Sequence, residues 1–148
     1  MNQDFAEMLS GLSEAKADFI IVGAHALAAH GLPRATGDLD IWIRPSPENA
    51  KKVWDVLNNF GAPLSELSID DLSTPGIVFQ IGLAPCRIDI LTQIDGVNFD
   101  EAWANRIYVK VFDIDVPVIG VNELLKNKKA VGRPQDVADA ARLENKKD

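Results

Sequence analysis

Gly37-Asp38-Leu39-Asp40-Ile41-Trp42-Ile43 sets two aspartates one residue apart and runs straight into an alternating apolar stretch. In a β-strand, side chains i and i+2 share a face. Asp38 and Asp40 therefore point one way, while Leu39, Ile41 and Ile43 face a core. Two adjacent carboxylates raise each other's pKa unless a cation lies between them, so the pair asks for a divalent metal. A strand that merely opens on turn-forming aspartates would look the same, and the flanking elements decide between the two.

Upstream, Phe19-Ile20-Ile21-Val22 is a continuous apolar run, expected as a buried strand, and it stops at Gly23. Ala24 to His30 is built of helix formers and ends at Gly31. Strand, glycine, helix is a turn that lets a ligand approach the backbone and aims free N–H groups at it, with phosphate the usual guest. His25 and His30 lie about 140° apart around a helix and cannot share a metal, so both are read as structural. Arg34, Thr36 and Asp38 alternate into the acidic strand, where extended backbone would put a guanidinium and a hydroxyl beside the carboxylates.

Downstream, Cys86-Arg87-Ile88-Asp89-Ile90-Leu91 reads as a strand with Ile88 and Ile90 inside and Arg87, Asp89 and Leu91 on the opposite side. An aspartate between isoleucines is costly unless a partner satisfies it. If this strand lies beside Asp38 and Asp40, three carboxylates converge, as a pair of metals roughly 3.5–4 Å apart requires.

The remaining elements frame these segments. Phe5, Met8, Leu9 and Leu12 form the stripe of a first helix. Ser46 caps a helix that starts at Pro47, carries Ala50, Val53, Trp54, Leu57 and Phe60 inward, and ends at Gly61. A short helix capped at Ser68, a strand from Ile77 to Gly82, and a capping box from Asn98 to Glu101 are expected next. Ile107 to Phe112 and Ile114 to Ile119 read as a hairpin near a sheet edge, because of Pro117. Two C-terminal helices follow: one capped by Asn122 with Val121, Leu124, Leu125 and Val131 buried, and one starting at Arg133-Pro134 with Val137 and Ala141 facing the core. Lys128 falls within the first buried stripe, so it either binds nucleotide phosphate or makes a structural ion pair with Asp136 or Asp139.

The 148 residues suit one domain, with a helix over 1–17, a sheet core over 18–119 and helices over 121–146. No run reaches the roughly 18 apolar residues of a membrane span, and no secretory signal is expected. A single Cys86 excludes an internal disulfide framework and fits a reducing cytoplasm, with the thiol expected to be buried at the start of its strand. The net charge of −7 argues against a broad nucleic-acid-binding surface but leaves room for a local basic cleft.

In this order, apolar strand, Gly23-Ala24, helix, Asp38-Leu39-Asp40 and a later Asp89 resemble the nucleotidyltransferase superfamily of DNA polymerase beta, kanamycin nucleotidyltransferase and the minimal nucleotidyltransferases. Arg34-x-Thr36-x-Asp38-x-Asp40 and the tail Asn127-Lys128 … Gly132-Arg133-Pro134-Gln135-Asp136 … Asp139 are similar to the branch containing AbiEii-type toxins. The resemblance implies an α/β (α+β) nucleotidyltransferase fold in a single domain. A mixed sheet of about five or six strands would have helices packed mainly on one face. It implies that Asp38, Asp40 and Asp89 hold two Mg²⁺ ions, with Mn²⁺ able to substitute, and that Asp89 helps deprotonate the attacking hydroxyl. Gly23, Ala24, Arg34, Thr36 and Lys128 would contact a nucleoside triphosphate, with ATP expected. A nucleoside monophosphate would pass to a protein or RNA hydroxyl in the cytoplasm, in a toxin–antitoxin setting, with the acceptor bound by a homodimer or a small helical partner. The family usually has Ser or Gly where this chain has Ala24, which removes a hydroxyl contact to phosphate and keeps the backbone N–H. A catalytically silent relative that binds nucleotide or a partner chain, and an unrelated α/β domain with incidental aspartates, are the competing readings.

Overall fold

The computed structural model describes residues 3–33, 37–83 and 86–147. Four apolar residues with no polar face to show water form strand β1 (Phe19–Val22), which is buried along its whole length in the interior of the sheet. Around it the described residues build helices α1 (Gln3–Glu14), α2 (Gly23–Ala29), α3 (Pro47–Phe60), α4 (Ile69–Leu72), α5 (Phe99–Ala104), α6 (Val121–Val131) and α7 (Pro134–Lys147). The other strands are β2 (Leu39–Ile43), β3 (Val78–Ile81), β4 (Ile88–Leu91), β5 (Ile107–Val111) and β6 (Ile114–Val118). The six-stranded sheet has the order β3-β4-β2-β1-β6-β5. It is mixed: β2 and β4 are parallel, as are β1 and β6, and the other neighbours are antiparallel. This is the expected α+β architecture in a single domain. No helix among the described residues is long and apolar enough to cross a membrane.

Register fixes which side chains share a face, because directly paired residues point the same way. One row across the sheet reads Gln80, Asp89, Asp40 and Val22. The row one residue further on, with the opposite orientation, reads Phe79, Ile90, Ile41 and Ile21; the three isoleucines belong to the core and Phe79, partly buried, packs against it. Trp42, two residues after Asp40, is buried on the aspartate face and meets Phe99 of α5 edge-on at 5.1 Å.

Local chemistry explains the helices. Phe5, Met8, Leu9 and Leu12 are the buried stripe of α1. Ser46 caps α3 by accepting from the Asn49 N–H, Pro47 starts the helix, and Gly61 ends it in the left-handed region. The capping box of α4 is complete between Ser68 and Asp71. The one expected at α5 is half made: Asn98 accepts from the Glu101 N–H, while the Glu101 carboxylate turns instead to Lys126.

Three other expectations are corrected and one holds. Helix α6 starts two residues earlier, with Gly120 rather than Asn122 at its N-cap. In α7, Val137 and Ala141 are exposed; Asp136, Asp139, Ala140 and Leu143 turn inward. Asp136 and Asp139 do so because Lys128 waits for them on α6, an ion-pair preference that hydrophobic spacing cannot see. The β5–β6 hairpin does stand at the sheet edge as expected, with β5 outermost and Pro117 in β6 beside it. Cys86 precedes β4 and is exposed.

Asn49 was not singled out by sequence. Its amide donates to the carbonyls of Asp18 and Arg44, each at 3.0 Å, and accepts from the Asp18 N–H at 2.7 Å. A buried polar side chain thereby ties the start of β1 and the end of β2 to the first turn of α3. Arg44 adds ion pairs to Asp18 and Asp100 and lies over the Phe99 ring.

Candidate active site

The parallel β2–β4 ladder pairs Asp40 directly with Asp89. Neighbouring strands run about 4.8 Å apart, so the two carboxylates stand side by side and share a hydrogen bond, which needs a proton on one of them. Asp38 sits just before β2 and joins them from the same side, as i and i+2 spacing requires. Two distant segments thus bring the three expected acids to one place.

Their electrostatics are unequal. Asp40 is pushed up to about 6, first by burial, then by the charge of Asp89, the hydrogen bond shared with it and the charge of Asp38, while Arg87 pulls the other way. Asp89 is buried, yet its oxygens are served: Arg87 Nε donates to Oδ1 at 2.7 Å and Nη2 to Oδ2 at 3.2 Å. The same guanidinium reaches Asp38 Oδ2 at 3.4 Å, and the Arg87 backbone N–H donates to Asp38 Oδ1 at 3.0 Å. Asp89 raises the Arg87 pKa through that hydrogen bond. The spacing of Arg87 and Asp89 put both on one side of the strand, but the bridge back to Asp38 depends on strand pairing.

Gly23 closes the site from β1. Its φ of +70° is one that L side chains rarely adopt, and a Cβ there would lie 2.1 Å from Asp40 Oδ2. The glycine is needed for the carboxylate to approach as much as for any ligand. Ala24 follows in the first turn of α2, where Val22 at the N-cap offers no side-chain cap.

His25 packs edge-on to Phe5 at 5.9 Å and hydrogen-bonds to the Asp38 backbone; burial lowers its pKa. His30 Nε2 lies 2.8 Å from the Ile119 carbonyl. Both histidines brace the scaffold. Lys128 makes the structural ion pair that was its alternative assignment, with Asp136 at 3.2 Å and Asp139 at 3.5 Å. Arg133 donates to Asp136 as well, and these contacts hold its carboxyl down at about 2. Arg34 and Thr36 lie outside the described residues.

Three carboxylates present hard oxygen donors of the kind magnesium and manganese take, and the one least served by a cation, Asp40, is the one driven toward neutrality. The donor set fits a divalent ion. Among the described residues, however, no three acid, histidine or cysteine groups are already arranged around one ion position. The cation spanning Asp38 and Asp89 is the Arg87 guanidinium.

No family model matches the chain, and no curated protein matches it. Solved structures do. A Thermotoga maritima protein assigned as a nucleotidyltransferase superposes with a TM-score of 0.61 at 15% identity, over 95% of this chain and 90% of that one. The lincosamide antibiotic adenylyltransferase LnuA, in its lincomycin-bound form, gives 0.60 at 13% identity, over 97% and 96%. ANT(2")-Ia in complex with adenylyl-2"-tobramycin gives 0.59 at 15% identity, over 94% and 84%. With β1, Gly23, α2 and the aspartate strand in sequence, and coverage that extends nearly end to end, the chain has the nucleotidyltransferase fold.

Proposed function

We propose that the protein is a metal-dependent nucleotidyltransferase that moves a nucleoside monophosphate from a nucleoside triphosphate to a hydroxyl acceptor. The observation that carries this reading is the direct pairing of Asp40 with Asp89 across the β2–β4 ladder, beside Asp38 and against Gly23. Asp38, Asp40 and Asp89 would hold Mg²⁺ or Mn²⁺. When bound, such ions neutralise phosphate charge and increase the acidity of an attacking hydroxyl. The chain's own contribution is position and charge. Asp89 would take the acceptor proton, and Gly23 with the first turn of α2 would face the triphosphate. Arg34 and Thr36, four and two residues before Asp38, would add a cation and a hydroxyl.

ATP is the proposed donor, supported by two structural neighbours whose names or ligands are adenylyl compounds. Protein and RNA hydroxyls are the acceptors implied by resemblance to the AbiEii branch, as is a toxin–antitoxin setting. The bound lincomycin and adenylyl-tobramycin of the neighbours add small hydroxylated molecules to the acceptors worth testing.

Incubation with each α-labelled triphosphate and Mg²⁺, against protein, RNA and small-molecule fractions of a lysate, tests the reading. Label should pass to one fraction with release of pyrophosphate, and Asp89→Asn should abolish both. Absence of transfer from all four triphosphates would favour the silent-relative reading, which Ala24 and the Arg87 contacts to two of the three acids support.

A further inference from the structure

Arg87 already pairs with two of the acids that would hold a divalent ion. Its Nε and Nη2 engage both oxygens of Asp89, and Nη2 also reaches Asp38. A divalent ion held by the three acids would draw on the same carboxylate oxygens. The guanidinium fork at 2.7 and 3.2 Å already takes up acceptor capacity of both Asp89 oxygens. The charge count agrees. Fully ionised, the acids carry three negative charges and Arg87 returns one, so the cluster keeps a deficit that falls on Asp40.

The guanidinium lies at the open side of the cluster. Arg87 precedes β4, its side chain is 29% exposed, and among the described residues its ion pairs are to Asp38 and Asp89. Asp89 is different: it lies within β4, buried, with its orientation set by the ladder to Asp40. In an exchange of cations the acids would stay and the arginine would move.

We propose that Arg87 is a built-in counter-ion that competes with the divalent metal for Asp38 and Asp89 and swings off them when metal binds. This rests on the metal-dependent reading above and adds a regulatory property to it. The apo cluster is held together by an internal cation, so metal affinity is set below that of three bare carboxylates. The displaced guanidinium remains at the same mouth, available to an anionic phosphate. Positioning of Asp89 by Arg87 for the metal predicts the opposite behaviour, so the two roles separate cleanly.

The test is calorimetric titration of Mn²⁺, at fixed pH and ionic strength, into the wild-type protein, Arg87→Gln and Arg87→Lys. Competition predicts that Arg87→Gln binds Mn²⁺ on the order of tenfold tighter than wild type, with Arg87→Lys between them. The metal-free Arg87→Gln protein should melt lower than wild type, and saturating Mn²⁺ should close that gap. Equal or weaker Mn²⁺ binding in Arg87→Gln, with wild type binding, overturns the counter-ion role and leaves the metal-dependent reading intact. If folded wild type and variants all fail to bind Mn²⁺, the metal-dependent reading falls and takes this inference with it. Should Arg87→Gln not fold, the side-chain Nε–H resonance of Arg87 in wild type gives the answer. Saturating Mg²⁺ should abolish its protection from solvent exchange, and protection retained at saturation overturns the proposal.

Discussion

Asp40→Asn should make the metal-free protein more stable, although it removes a proposed metal ligand. The Asp40 carboxyl sits at about 6 against an ordinary 3.8, so the fold resists its ionisation. An unfolded aspartate releases its proton near 4, while folded Asp40 keeps its own until about 6. Between those values the folded state binds more protons than the unfolded state, so stability falls as pH rises and stays reduced above about 6. Two pH units at about 1.4 kcal/mol each amount to about 3 kcal/mol, and about 2–3 kcal/mol after allowing for screening at the partly open mouth. Asparagine nearly matches the shape and carries no charge to repel Asp38 and Asp89. At pH 8 without metal the variant should therefore gain about 2–3 kcal/mol, or about 4–12 °C in melting temperature for a chain of this size. Urea unfolding at pH 4, 6 and 8 would show wild type losing stability over that range and the variant largely spared. Mg²⁺ should stabilise wild type far more than Asp40→Asn. A variant no more stable than wild type at pH 8 would refute the idea that the site holds unrelieved negative charge.

Gly23→Ala should cost about 1–3 kcal/mol from its positive φ alone, and the clash with Asp40 should weaken metal binding too; a neutral result in both chemical denaturation and Mn²⁺ titration would contradict the close approach. Asn49→Leu should destabilise by at least about 2 kcal/mol, because the Asp18 and Arg44 backbone groups it serves lose their partner, with urea unfolding as the check. Lys128→Met should cost about 3 kcal/mol by leaving Asp136 and Asp139 buried without their ammonium, while nucleotide affinity in a filter-binding assay stays within twofold; a large loss of affinity in folded protein would return Lys128 to the phosphate site. Asp136, held near 2, contributes stability present above about 4 and lost as pH falls toward 2, so acid unfolding in that window should be blunted in Asp136→Asn.

The aspartate strand was legible because its information is local. A period of two over Asp38 to Ile43 fixes faces without reference to any other segment, and the same holds for Ile88 and Ile90 around Asp89. Capping chemistry gave α3 its first residue and its last. The adjacency of β2 and β4 could be stated only as a condition, since nothing in either segment names its neighbour. The Arg87 bridge to Asp38 was out of reach for the same reason. Helix α7 misled because its inward face is partly ionic: Val137 and Ala141 fit an apolar stripe, but Asp136 and Asp139 answer Lys128. Asn49 carried no signal beyond its place in the first turn of α3, because its three partners belong to the ends of two strands.

Diffraction from crystals grown with Mn²⁺ and a non-hydrolysable ATP analogue, collected at the manganese edge, tests the central claim most directly. Anomalous density should be bounded by the carboxylates of Asp38, Asp40 and Asp89, with the triphosphate running toward Gly23 and α2. Nucleotide bound elsewhere, or an ordered site with analogue and no manganese among those three acids, would contradict it.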